Sequence, residues 1–265
     1  MKKYLPLFIL FTSFCFSQNR VNVNNLVKYG EKYYKENDDR PFNGVVFDIS
    51  KETGNKILNY KMVDGLKNGP YQEWYADGKP KSKGKYLNNL PNGIMINWDE
   101  DGKENLATYK NGKLNGLKSE WKKDKYIIPP IFPEAGELHY KHKLTYKNDV
   151  IVGQGFVEHK AFDCEETYSS GKLNGLTVCS NKDGVKMMTI TLQDGKLNGV
   201  FTQWREDGTK MKEKIYKNGL QDGKEVGWHS RKCKRNAQGT EEKLYFNLNE
   251  YLKFNDSEVI DANLI

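Results

Sequence analysis

Most of the chain is written in short stretches where apolar and polar residues alternate, and Asn-Gly or Asp-Gly pairs separate the stretches. Positions one, three and five after such a glycine read Val45, Phe47, Ile49, then Ile94, Ile96, Trp98, then Val200, Thr202, Trp204, with mostly polar residues between them. A period of two belongs to a β-strand, and the stretches are too short to hold a helix. Asn-Gly and Asp-Gly supply the positive φ angles of tight hairpin turns. The pattern therefore predicts hairpins whose one-three-five face is apolar and packed while the opposite face is wet.

The hairpins repeat. Register glycines recur at Gly44, Gly69, Gly93, Gly116, Gly153, Gly175, Gly199 and Gly223, at intervals of 25, 24, 23, 37, 22, 24 and 24 residues. All five tryptophans, Trp74, Trp98, Trp121, Trp204 and Trp228, stand five residues after a register glycine. Tyr86, Tyr109, Tyr146, Tyr168 and Tyr216 stand seven before one. A second turn follows at Asp77-Gly78, Asp101-Gly102, Asp183-Gly184 and Asp207-Gly208, so the unit reads turn, strand, turn, strand. A lone two-stranded hairpin is marginal in water. Neighbouring units are expected to lay Trp and Tyr against each other, each cross-strand pair contributing about 0.2–1 kcal/mol. The fold class that follows is all-β: an elongated, single-layer antiparallel array of about eight hairpin units, each about 24 residues long. The tryptophans and tyrosines, with Gly69, Gly93, Gly116, Gly175 and Gly199, are its structural positions. An aromatic stripe for sugars or peptides is the alternative role for the tryptophans.

The period stops at both ends. Residues 18–42, with Leu26, Tyr29, Tyr33 and Tyr34 around Gly30, are expected to form a capping hairpin, residues 43–228 the repeats, and residues 229–265 a C-terminal cap. The long fourth interval holds an irregular insertion at about 122–142, where Pro129, Pro130 and Pro133 break any ladder and imply a protruding loop. Residues 1–17 carry the marks of an export signal: Lys2 and Lys3, an apolar run from Tyr4 to Phe16, and a cut after Ser17. A lipoprotein processed at Cys15 is the rival, opposed by the bulky Phe14 before it. Either places the mature chain in the periplasm, the envelope or the medium.

Composition narrows the function. Hydrophobic residues make up 37% and charged residues 29%, too polar for a deep core, while 12% aromatics is too many for disorder. Without Lys2 and Lys3 the net charge falls from +7 to +5, and the lysines are interleaved with acids as on a solvated surface, which argues against a nucleic-acid partner. Cys164 and Cys179 are the expected disulfide, leaving Cys233 over. His139 and His142 lie three apart on a strand, hence on opposite faces, which disfavours a shared metal ion. Asp163-Cys164-Glu165-Glu166 is expected to be surface plus disulfide, and the basic run from Arg231 to Arg235 solvated charge beside the cap. Phosphate-cradling, nucleophile-elbow and zinc-helix patterns are missing from the sequence, so no catalytic residue, cofactor or metal is expected.

Units such as Asn92-Gly93 to Trp98, Asp101-Gly102 and Tyr109-Lys110-Asn111-Gly112-Lys113-Leu114-Asn115-Gly116 resemble the bacterial MORN-variant repeat of the YwqK-type antitoxin family, over roughly residues 43–228. The resemblance implies a β-hairpin array with an interaction role. Departures fall between Gly116 and Gly175, where no Asp-Gly turn appears. The expected function is a non-enzymatic, exported protein-interaction or scaffold module. The alternatives are a carbohydrate, envelope-polymer or lipid binder, and an antitoxin or immunity protein. The expected partner is an unidentified protein or envelope polymer, with contact to a membrane surface left open.

Overall fold

The computed structural model describes residues 19–124 and 138–228. The expected signal segment, the proline-rich insertion and the C-terminal cap lie outside the described residues. The described chain is nearly all β, built of successive antiparallel hairpins, with a single turn of 3-10 helix at Val23–Asn25. It divides into two compact units, one holding residues 19–80 and 86–90, the other residues 81–85 and the described residues from Pro91 onward.

In the first unit the strands Gly44–Ile49, Lys56–Val63 and Leu66–Trp74 pair antiparallel in chain order. The strand Arg20–Asn22 adds parallel to Gly44–Ile49, setting Val21 beside Val46. Val21, Phe42, Val46, Tyr60 and Met62 form the core. Gly44 is what lets the N-terminal segment in, since a Cβ there would stand 2.1 Å from the Asn19 carbonyl oxygen. The hairpin Leu26–Tyr29 with Lys32–Lys35 is a separate two-stranded sheet, tied on by hydrogen bonds from Tyr33 N–H to Gly65 O and from Phe42 N–H to Tyr33 O.

In the second unit, strands Gly93–Trp98, Glu104–Lys110, Lys113–Asp124, Leu138–Lys147, Gly153–His159, Phe162–Ser169, Gly175–Asn181, Lys186–Gln193, Lys196–Trp204 and Lys210–Lys217 each run antiparallel to the next. The core follows one face of this run: Tyr140, Leu144, Val157, Phe162, Met188, Ile190, Leu197 and Phe201 are buried there.

The turns are not where the register glycines are. The tight hairpins lie four to five residues earlier, at two-residue loops with positive φ at both positions, such as Asn111-Gly112, Asp194-Gly195 and Asn218-Gly219. Gly116 and Gly199 instead sit inside strands, as bulges. Tyr109 pairs with Leu114 and Ala107 with Lys118, so three residues, Asn115 to Leu117, face the single Thr108. Gly199 repeats this against Thr191. Its φ of +129° and the 3.0 Å from an added Cβ to the Thr191 Cβ both demand glycine. Gly199→Ala is therefore expected to lower stability by about 1–3 kcal/mol, read as a drop in urea midpoint at constant slope. An unchanged midpoint would mean the bulge carries no strain.

The Asp-Gly pairs are turns, of a different kind. Gly78 N–H bonds Tyr75 O and Tyr75 N–H bonds Lys79 O, a type I turn closed by a glycine bulge, and Gly102, Gly184 and Gly208 repeat the arrangement. Each tight turn is also fastened to the unit before it. The N–H of its second residue donates to a strand carbonyl there: Gly112 to Pro91, Asp149 to Leu114, Gly171 to Ile151, Gly195 to Leu173 and Gly219 to Leu197, all at 2.8–3.0 Å. The register asparagines add side-chain ties, as where Asn92 Oδ1 accepts from Asn111 N–H.

Candidate interaction surface

A strand offers two faces, and the apolar core lies on the even face, not the one-three-five face expected from the alternation, although Ser119 and Thr202 on the latter are also buried. Val46, Met95, Thr177 and Phe201, two residues after register glycines, are buried. Ile94, Leu117, Leu176 and Val200, one residue after, are 42–54% exposed. Both faces carry apolar residues, so alternation alone could not tell them apart. What separates them is the company of the tyrosines. Tyr216 stands opposite Gly199 and so on the side of Phe201, and Tyr168 opposite Gly153 on the side of Val157. Tyr168 and Tyr216 are buried, while Tyr86, Tyr109 and Tyr146 are half-buried. A glycine lets one of them lie flat: an added Cβ at Gly155 would meet Tyr168 Cε2 at 2.8 Å and Leu144 Cδ2 at 2.9 Å.

The tryptophans have the opposite phase. Trp98 pairs with Glu104 and Tyr109 with Gly93, so Trp98 and Tyr109 point to different faces. Trp121 and Trp228 are 41% and 39% exposed, and Trp74, Trp98 and Trp204 are half-buried. Lysine amines cover their rings: Lys56 at 5.0 Å from the Trp74 centroid, Lys141 at 5.8 Å from Trp121, Lys186 and Lys210 at 5.2 and 5.8 Å from Trp204, and Lys210 at 5.4 Å from Trp228. Such contacts are worth about 0.5–1 kcal/mol each at exposed sites.

The first unit inverts the scheme at one position. Lys67 occupies the place held by Leu114, Leu173 and Leu197 in other repeats, and its amine lies 5.1–5.2 Å from the ring centroids of Tyr60, Tyr71 and Tyr86. Burial lowers the Lys67 pKa. Burial also pushes the Tyr60 phenol up to about 12, and raises that of Tyr71, whose hydroxyl donates to Glu73 at 2.9 Å.

The irregular repeats of the second unit carry a buried polar cluster. Strand Phe162–Ser169 turns Phe162, Cys164, Glu166 and Tyr168 inward, and Asp163 and Glu165 outward. The run Asp163-Cys164-Glu165-Glu166 is thus split between two faces, and Glu166 is not at the surface. Glu166 Oε2 accepts from the Tyr168 hydroxyl at 2.9 Å and lies 2.9 Å from His142 Nε2. His142 Nδ1 is buried without a partner, so the Nε2–H tautomer fits the site, leaving a bare lone pair where an N–H would have no acceptor. Burial, then the Glu166 carboxylate, raises the Tyr168 pKa. His139 is exposed on the other face of the strand that buries His142. Among the described residues no group of His, Cys, Asp or Glu is arranged to hold a metal ion. Cys164 and Cys179 stand directly opposite each other on adjacent strands, their Cα atoms 4.1 Å apart, and are joined by a disulfide.

Sequence reasoning missed the Glu166–His142 contact, and one signal could have found it. From Gly69 onward, the positions nine before a register glycine are otherwise Tyr60, Gly84, Ala107, Leu144, Ile190 and Lys214, and Glu166 is the acid in that series. No protein-family model matches the chain, and no curated protein matches it in sequence.

Proposed function

We propose that this protein is a non-enzymatic, exported interaction module that docks a partner protein on the outer face of its second unit. One observation carries this: four of the six register glycines there are followed by an aliphatic side chain exposed to solvent, at Ile94, Leu117, Leu176 and Val200, although the sheet already has a packed face. Contiguous exposed apolar surface marks interaction sites on soluble proteins. The test is a crosslinking pull-down from envelope extract, comparing the chain with a Leu117→Ser, Leu176→Ser, Val200→Ser variant of unchanged circular dichroism. A specific protein captured by the first and lost by the second is the expected result. Equal capture by both would remove the outer face from the account.

A second function, binding of carbohydrate or envelope polymer, draws on the exposed Trp121 and Trp228. The lysines over both rings weigh against flat sugar stacking. Retention on a glycan array that is lost in Trp121→Ala would favour it.

A further inference from the structure

The cross-strand register of the second unit sorts side chains into rows that run across the strands, and two of these rows differ sharply in charge. Ile94 pairs with Thr108, Leu117 with Thr145, Leu176 with Thr191 and Val200 with Ile215. Gln154 with Thr167 fills the middle. This row holds no charge; Ile94 and Leu117 lie two strands apart, as do Leu176 and Val200, about 9.6 Å in each case, with Thr145, Gln154 and Thr167 between the two pairs. Nearer the tight turns on the same face, two residues along on the strand entering each turn and four, across the bulge, on the strand leaving it, lies a second row. It contains Lys110 opposite Lys113, Lys147 opposite Val150, Ser169 opposite Lys172, Gln193 opposite Lys196, and Lys217 opposite Leu220.

That second row has six lysines and no acid. All six are exposed, and among the described residues none forms a salt bridge. Asp149, Asp194 and Asp222 occur nearby, at turn and bulge positions, and Asp149 Oδ1 is taken by Leu114 N–H. Elsewhere on the same face lysines do have acids: Lys143 binds Glu158, Lys182 binds Asp163 and Lys210 binds Glu213. Like charges directly opposite on a ladder are destabilising, so Lys110 facing Lys113 is a cost the fold does not offset internally.

Resting on the docking face proposed above, we infer that its partner is an acidic, amphipathic polypeptide segment that lies across the strands. Its apolar edge seats on the uncharged row and its carboxylates meet the lysine row. Charge complementarity sets this choice. A neutral apolar partner would leave six unpaired cations at its margin, and a basic one would be repelled.

The test uses the full chain and a fluorescent helical peptide of leucine, alanine and glutamate, about 20 residues long, with counterparts in which every glutamate is glutamine or lysine. Anisotropy titrations are expected to show the glutamate peptide binding at least tenfold tighter than the glutamine peptide, with the difference shrinking as salt rises. The variant Lys110→Glu, Lys147→Glu, Lys217→Glu should weaken it at least tenfold, whereas Lys51→Glu with Lys160→Glu should change it less than twofold. Equal binding of the glutamate and glutamine peptides overturns the acidic partner while leaving the docking face standing. Indifference to the triple variant overturns the lysine row. Retention of phosphatidylglycerol vesicles with no peptide binding overturns the polypeptide in favour of a membrane surface.

Discussion

Replacing His142 by Phe is expected to lower the stability of the second unit by about 1–3 kcal/mol, the usual cost of leaving a buried acceptor short of its hydrogen-bond donor. Glu166 is buried, and its Oε2 has both His142 Nε2 and the Tyr168 hydroxyl at 2.9 Å. Without the imidazole the carboxylate keeps only part of its hydrogen bonding in a place water does not reach. The double variant His142→Phe, Glu166→Leu should recover much of the loss, because it removes the under-bonded carboxyl together with its partner. Urea titrations of the two single variants and the double complete the cycle. A single variant within about 1 kcal/mol of the wild type would show that the cluster is solvated or otherwise held.

Replacing both Cys164 and Cys179 by Ala is the second large effect, about 3 kcal/mol from the loop of 15 residues that the bridge closes. The bridge lies on the same inward face as Glu166, and both sulfurs are buried. A reductant should therefore act on the unfolded chain before the folded one. In denaturant the wild type should lose stability when a reductant is present, and the double variant should not respond. A non-reducing digest that yields no peptide linking residues 164 and 179 would remove the premise.

The strand period and the hairpin repeat were legible because positive-φ residues and alternation leave direct marks on the chain. Which Asn-Gly makes the hairpin was not. In Asn111-Gly112-Lys113-Leu114-Asn115-Gly116 the first pair turns the chain and the second bulges it, and both uses ask for the same residues. The buried face was misread for a related reason. Ile94 and Met95, or Val200 and Phe201, are neighbours of similar hydropathy on opposite faces, and only the tyrosines opposite them break the tie. The lysine row stayed hidden because Lys110, Lys147 and Lys217 are interleaved with acids along the chain, yet stand in one line once the strands are side by side.

Hairpin tips are ordinarily among the first amides to exchange with solvent. Here the N–H groups of Gly112, Asp149, Gly171, Gly195 and Gly219 are held at the tips by the carbonyls of the preceding repeat. The joint between repeats thus has a backbone part that does not depend on which side chains flank it. Deleting or duplicating one whole repeat would therefore leave this backbone tie available to the repeats that remain.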